Sequence, residues 1–304
     1  MKIAVYGAGS IGCYFGGRLA AGGEDVHLIA RGDHLVAIQE NGLRVRSANG
    51  DLDLELPATS DPADVGPCDV ILFCVKSTDT DSAAARVAPL LHSGTAIISL
   101  QNGVTNEERL AGVVSPEHVV GGAAYIMVNI VEPGVIRHFG TRARLVFGEL
   151  DGQRSPRLEA FLEACQRAEL DAALSEQIRV QLWTKMAFIC ALAGLTAATR
   201  LPVGALRVSP AALEMFGRLC AEVVDVASSC GVALAADTPD RHRETFLAMS
   251  GDWYSSLYYD LVGGKTLELE ALHGTVLRLA REHDLSVPMT TAIYAILEPW
   301  LVRS

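Results

Sequence analysis

Hydrophobic positions follow two rhythms along the chain, and the change falls near residue 175. Before it, short apolar runs alternate with helical spacing. Residues 2–6 form a mostly apolar run, as a parallel strand covered on both faces requires, and residues 26–30 repeat it. Residues 11–21 between them carry helical spacing and stop at Gly22-Gly23, which predicts one βαβ unit. Short strands are expected at 43–45 and 52–56, and a very apolar one at 70–75. A helix over 83–91, a strand over 96–100 and another over 119–123 should follow. Residues 134–148 alternate polar and apolar, which predicts an antiparallel hairpin at a sheet edge; residues 157–168 read as an amphipathic helix. Beyond 175 strand signals almost vanish. Helices are predicted over 180–199, 210–230, 241–249, 266–283 and 289–302, with Pro202, Pro210, Pro239 and Pro288 between them or at their first residues. The expected architecture is an α/β domain with a parallel sheet over residues 1–172 and an all-α domain over 173–304.

Composition narrows the partners. Half of the 304 residues are apolar, enough for two cores, and the net charge is −11. No basic tail or Lys/Arg run is present, so nucleic acid is not an expected partner. An anionic ligand must then be held by local backbone dipoles and a few placed cations. The seven cysteines make no C-x-x-C pair and mostly sit in apolar runs, which argues for reduced thiols, no metal site and a cytoplasmic setting. No signal peptide is expected before the first strand. The longest uncharged apolar stretch, 186–199, is short for a bilayer span and reads as a buried helix, so no membrane association is expected. Apolar helices in the second half suit a homodimer interface and an internal core equally.

Chemistry enters at the first turn. The apolar strand runs directly into Gly7-Ala8-Gly9-Ser10-Ile11-Gly12 and then into a helix. This Gly-x-Gly-x-x-Gly order, in strand–turn–helix context, predicts a Rossmann-type dinucleotide site. Its glycines allow a tight turn, close approach to a pyrophosphate and close helix packing, while the helix start presents N–H groups to the phosphates. The second strand ends in Arg31 where an NAD site usually has a carboxylate. A guanidinium matches a 2′-phosphate in charge and geometry, so NADP(H) is favoured over NAD(H); the alternative is a solvated surface arginine, and Asp33 stands close by.

Three further clusters draw attention. Lys76 stands at a carboxyl strand tip in Cys74-Val75-Lys76-Ser77. Gln101-Asn102-Gly103 also follows a strand, and a plain Asn-Gly turn accounts for it as well. Lys185 follows Trp183-Thr184 at the start of the long apolar helix.

With these clusters the chain resembles the ketopantoate reductase (2-dehydropantoate 2-reductase) family over essentially its full length. The matching pieces are the six-residue glycine motif, Ala30-Arg31-Gly32, Val75-Lys76, Gln101-Asn102-Gly103, Trp183-Thr184-Lys185, Ser255-Ser256, Glu268 and Gly274. The resemblance implies a Rossmann domain followed by a helical domain like that of 6-phosphogluconate dehydrogenase. It also implies NADPH-dependent reduction of a 2-oxo acid, ketopantoate to pantoate in pantothenate biosynthesis. On it, Lys185 is the general acid, and Glu268 binds a substrate hydroxyl and helps keep Lys185 charged, near both substrate and cofactor. Ser256 meets the substrate carboxylate. Asn102 and Lys76 lie around the nicotinamide and substrate, with Lys76 countering negative charge.

Two departures bear on the substrate. The family carries asparagines four and eight residues after the lysine, on its face of the helix; this chain has Ile189 and Ala193. Neither supplies a hydrogen bond to a polar substrate. The family also tends to place Thr directly before the glutamate and Asp two residues after it, where this chain has Leu267 and Glu270. A reductase of a more apolar 2-oxo acid or ketone, or a non-catalytic NADPH-binding sensor, stand as the alternatives.

Overall fold

A computed structural model describes residues 1–303, and side chains through residue 301. The backbone divides into two compact units: Met1–Gln101 with Asn106–Ile178, and Asn102–Thr105 with the chain from Arg179 onward. The expected boundary at 172/173 cuts a strand, Asp171–Leu174, which pairs within the first unit; that unit therefore runs to Ile178.

The first unit is built on one mostly parallel sheet. Its strands are β1 (Lys2–Tyr6), β2 (Asp25–Ile29), β3 (Leu43–Arg46), β4 (Leu52–Leu54), β5 (Ala58–Thr59), β6 (Val70–Phe73), β7 (Ala96–Ser99), β8 (Val119–Glu132), β9 (Val135–Glu149) and β10 (Asp171–Leu174). The order is β4-β3-β9-β8-β7-β6-β1-β2-β5, with β10 also on β9. From β5 to β8 neighbouring strands are parallel, and β1 is the point where successive strands change sides. In such doubly wound sheets the ligand binds beyond the carboxyl end of that strand. Alternate residues of each central strand serve opposite layers. Ile3, Val5, Leu72 and Ile98 belong to one core, and Ala4, Tyr6, Ile71, Phe73 and Ile97 to the other. The helices here are α1 (Ser10–Ala21), α2 (Gly32–Asn41), α3 (Thr80–Ala84), α4 (Asn106–Ala111) and α5 (Pro156–Arg167).

Two further expectations for the first unit need correction. Residues 134–148 are not a hairpin at an edge. Residues 135–148 lie in the single strand β9, which pairs antiparallel with β8 through the turn at Pro133-Gly134 and is flanked on its other side by β3 and β10. Alternation specifies which face a side chain takes; it does not locate the turn or the neighbours. The helix over 83–91 is the short α3 followed by a 3-10 turn at Ala88–Leu90, because Pro89 cannot donate to a helix ladder.

The second unit contains no strand among the described residues. Its helices are α6 (Ile178–Thr199), α7 (Val203–Arg207), α8 (Pro210–Ser229), α9 (Thr238–Ala248), α10 (Ser256–Val262), α11 (Thr275–Glu282) and α12 (Pro288–Leu297). α6 is the central rod: Met186, Ala187, Cys190, Ala191, Leu195 and Ala197 are at most 2% exposed and join Phe216, Val223 and Phe246 in one core. A helix apolar on all sides belongs in an interior. By length and composition α6 would suit a membrane span, yet 61% of its most apolar window is buried inside the structure. The helix expected over 266–283 begins instead as a π-helix, Glu270–Gly274, which continues into α11, and Thr266 to Leu269 are not helical. The expected 289–302 helix ends at Leu297 and becomes a 3-10 turn over Glu298–Arg303, where Pro299 interrupts the ladder.

Candidate active site

At the end of β1 the backbone turns at Gly7, with φ of 90°, and the N–H groups of Gly7 and Ala8 donate to the Ile29 carbonyl at 3.1 and 2.8 Å. A Cβ on Gly7 would stand 2.6 Å from the Val75 nitrogen, and one on Gly12 would stand 2.6 Å from Val5 Cγ1. Both positions therefore exclude a side chain. Gly9 differs: its nearest neighbour would be the Gly7 carbonyl at 3.9 Å, so the space beyond it is open. Gly9 caps α1 with no side-chain hydrogen bond, and α1 has no acidic residue in its first turn. An open glycine followed by the uncompensated N–H groups of Ser10, Ile11 and Gly12 is a fit for a pyrophosphate.

The turn is braced from beneath. Cys13 Sγ donates to the Ala8 carbonyl at 3.2 Å and lies 3.6 Å from His34 Nε2. The Gly134 N–H donates to His34 Nδ1 at 3.0 Å, which leaves the proton of a neutral ring on Nε2, facing the turn. Burial pushes the His34 pKa down and those of the Cys13 and Cys74 thiols up, Cys74 to about 12, so these sulfurs stay protonated packing groups.

Arg31 caps α2 and carries a guanidinium 85% exposed, whose Nη2 lies 2.6 Å from Asp79 Oδ2. Lys76 follows β6 and is half-buried; its carbonyl accepts from the Asp79 N–H at 2.8 Å. Gln101 and Arg109 pin this segment. Gln101 Nε2 lies 3.0 Å from the Val75 carbonyl and 2.8 Å from Thr80 Oγ1, and Arg109 Nη1 donates to the Ser77 carbonyl at 2.9 Å. Asn102 follows Gln101 at the start of the 102–105 segment of the second unit, and Gly103 takes a φ of 118°.

In the second unit Lys185 projects from α6 half-buried, between the buried Trp183 and Met186. Ile189 and Ala193 continue its face at helical spacing, and the line runs on to the fully buried Thr196. Thr196 Oγ1 lies 2.8 Å from the Leu192 carbonyl and 2.7 Å from Ser255 Oγ, which accepts from the Tyr258 N–H at 3.1 Å as the N-cap of α10. Ser256 stands next, exposed in the first turn of α10. The apolar line from Lys185 thus ends at the serine pair.

Glu268 is half-buried just before the π-helix, and its carbonyl accepts from the Leu272 N–H at 3.2 Å. His273 lies within the π-turn and packs against α6. His273 is completely buried, its Nε2 lies 3.0 Å from the Cys190 carbonyl, and its ring occupies space that a Cβ on Gly194 would contest at 2.8 Å. Burial pushes the His273 pKa down to about 4, so the ring is neutral and donates from Nε2. His242 on α9 bonds the Thr184 carbonyl at 2.8 Å in the same manner, and burial also lowers its pKa. Two imidazoles therefore hold α6 carbonyls on either side of the turn that carries Lys185 and Ile189. His34, Asp79, His242 and His273 were not among the expected residues. The glycine turn, Arg31 and Lys76 belong to the first unit, and Lys185, Ser256, Glu268 and Asn102 to the second.

Comparison with known proteins follows the same division. Residues 3–152 match the family described as ketopantoate reductase PanE/ApbA, and residues 177–300 match the corresponding C-terminal family. The chain is 32% identical over 291 residues to a 2-dehydropantoate 2-reductase of Halobacterium salinarum, covering 95% of each. It is 30% identical over 298 residues to an uncharacterized oxidoreductase, YkpB, of Bacillus subtilis, covering 98% of each. Among solved structures, a PanE/ApbA family ketopantoate reductase from Ralstonia eutropha superposes with a TM-score of 0.91 at 33% identity, over 99% of both chains.

Proposed function

The chain belongs to the ketopantoate reductase family, a family of oxidoreductases, and from that premise we propose that it reduces a 2-oxo acid to the 2-hydroxy acid with NADPH as hydride donor. The observation that carries the proposal is the half-buried Lys185 at the head of the uncharged apolar stretch 186–199 of α6, held in a family-matching chain with the open glycine turn.

When bound, the reduced nicotinamide supplies the hydride for the carbonyl carbon. The turn from Gly7 to Gly12 holds the pyrophosphate through backbone N–H groups, and Arg31 takes the 2′-phosphate. Lys76 balances the remaining negative charge. Lys185 donates a hydrogen bond to the carbonyl oxygen, stabilises the charge that grows there and delivers the proton. Ser256 hydrogen-bonds the substrate carboxylate, Asn102 orients the carbonyl group, and Glu268 accepts from a hydroxyl where the substrate carries one. Histidines 242 and 273 keep the α6 backbone around Lys185 in register.

A second substrate is favoured by one specific observation. The helix face that continues from Lys185 carries the half-buried Ile189 and the buried Ala193, with no side-chain donor or acceptor until Thr196. Burying polar substrate groups against it would leave them without partners, which costs discrimination. We therefore expect ketopantoate to be one member of a panel in which 2-oxo acids with bulkier apolar side chains compete. NADPH oxidation across such a panel tests the proposal. Lys185→Ala should lower kcat by about a hundredfold or more while leaving NADPH affinity nearly intact; unchanged turnover in that variant removes Lys185 from the mechanism.

A further inference from the structure

The Arg31–Asp79 pair has a position that matters for cofactor choice. β2 and β6 are the two neighbours of β1 in the sheet. Arg31 leaves the carboxyl end of β2, and Asp79 ends the 3-10 turn Ser77–Asp79 that leaves the carboxyl end of β6. Their 2.6 Å contact joins the two segments that flank the glycine turn. Asp79 is well placed to hold the guanidinium: it is less exposed, at 33% against 85%, and its own N–H is fixed to the Lys76 carbonyl at 2.8 Å.

The charge balance at this corner is unfavourable to a phosphate. The one cation expected to receive it already has a carboxylate partner, and Asp33 stands in the first turn of α2. A 2′-phosphate, carrying close to two negative charges, must either displace Asp79 from Arg31 or bind beside it. A ribose 2′-hydroxyl meets no such opposition, because a hydroxyl donates to a carboxylate. We propose that Asp79 sets the cofactor selectivity of this site: it competes with the 2′-phosphate for Arg31 and so narrows the preference for NADPH over NADH. The proposal rests on the glycine turn binding a nicotinamide dinucleotide, as inferred above.

Dissociation constants for NADPH and NADH, and for the fragments adenosine 2′,5′-bisphosphate and AMP, are to be measured on the full chain and on Asp79→Asn and Asp79→Ser. Removing one unit charge a few ångströms from the phosphate should tighten NADPH and the bisphosphate by about fivefold, and change NADH and AMP by less than about twofold. Melting temperatures within a few degrees of the unaltered chain, as expected for a half-buried surface ion pair, show that the variants are folded. An equal shift for both dinucleotides, or none for either, overturns the role of Asp79 while leaving the dinucleotide site in place. Failure of the unaltered chain to bind any of the four ligands overturns the dinucleotide site and this proposal together.

Discussion

The turn after β1 and the α6 face around Lys185 would meet the ligands proposed for them by different means. In the turn the working groups are main-chain N–H donors, and what the sequence contributes is the absence of side chains at Gly7, Gly9 and Gly12. On α6 the backbone is already satisfied by the helix, so function rests on side chains spaced at three or four residues along one face. The first kind of site tolerates almost no change at its glycines. On the proposed function, the identity of residues 189 and 193 on the second would bear on which substrate fits. A family can thus hold its cofactor chemistry constant while its substrate drifts.

The largest effect expected of any substitution separates two glycines of one motif. Gly7→Ala meets the Val75 backbone at 2.6 Å from a positive φ, and should cost about 3 kcal/mol or more in chemical denaturation. Gly9→Ala meets nothing closer than 3.9 Å, and should leave stability unchanged while weakening NADPH binding by about tenfold. Equal stability losses would erase the distinction between a packing glycine and a ligand glycine.

Next in size is an acid response of the helical unit. The folded state holds His273 with its pKa lowered from 6.5 to about 4, so the unfolded chain takes up this proton first as pH falls. Its contribution to stability is intact above pH 6.5 and is lost progressively toward pH 4, by on the order of 3 kcal/mol at the bottom of that window. Urea titrations at stepped pH should show this slope, and His273→Asn should flatten it.

A smaller loss, about 1–2 kcal/mol, is expected for Thr196→Val, which removes the hydroxyl 2.7 Å from Ser255 Oγ inside the core. Because Ser255 caps α10, KM for the 2-oxo acid should rise more than KM for NADPH. The smallest effect is Arg31→Ala, which should weaken NADPH about tenfold and NADH by less than twofold, since the guanidinium is exposed and already shared with Asp79.

The same contrast explains what could be seen without coordinates. The glycine turn, the parallel strands and the helical second half were legible because they are local: a sharp strand–helix turn demands glycine, and buried strands demand unbroken apolar runs. Side-chain pairing across the fold was not. His273 reaches the Cys190 carbonyl 83 residues away, and Arg31 meets Asp79 across 48. Nothing in the spacing of the chain signals either. The π-turn after Glu268 is hidden in the same way: its His273 ring packs against Gly194 on another helix, a contact that the local pattern does not carry. Pro89 is a local signal against a long helix over 83–91, since it cannot donate to the helix ladder.

The central claim is that the two kinds of site serve one hydride transfer to a 2-oxo acid. It is tested most directly by incubating the chain with NADPH and a mixture of 2-oxo acids, and quantifying NADPH consumed and 2-hydroxy acid formed by mass spectrometry. Equimolar consumption and formation, led by one or a few acids, is the predicted result; NADPH that binds but is never oxidised with any of them would contradict the account.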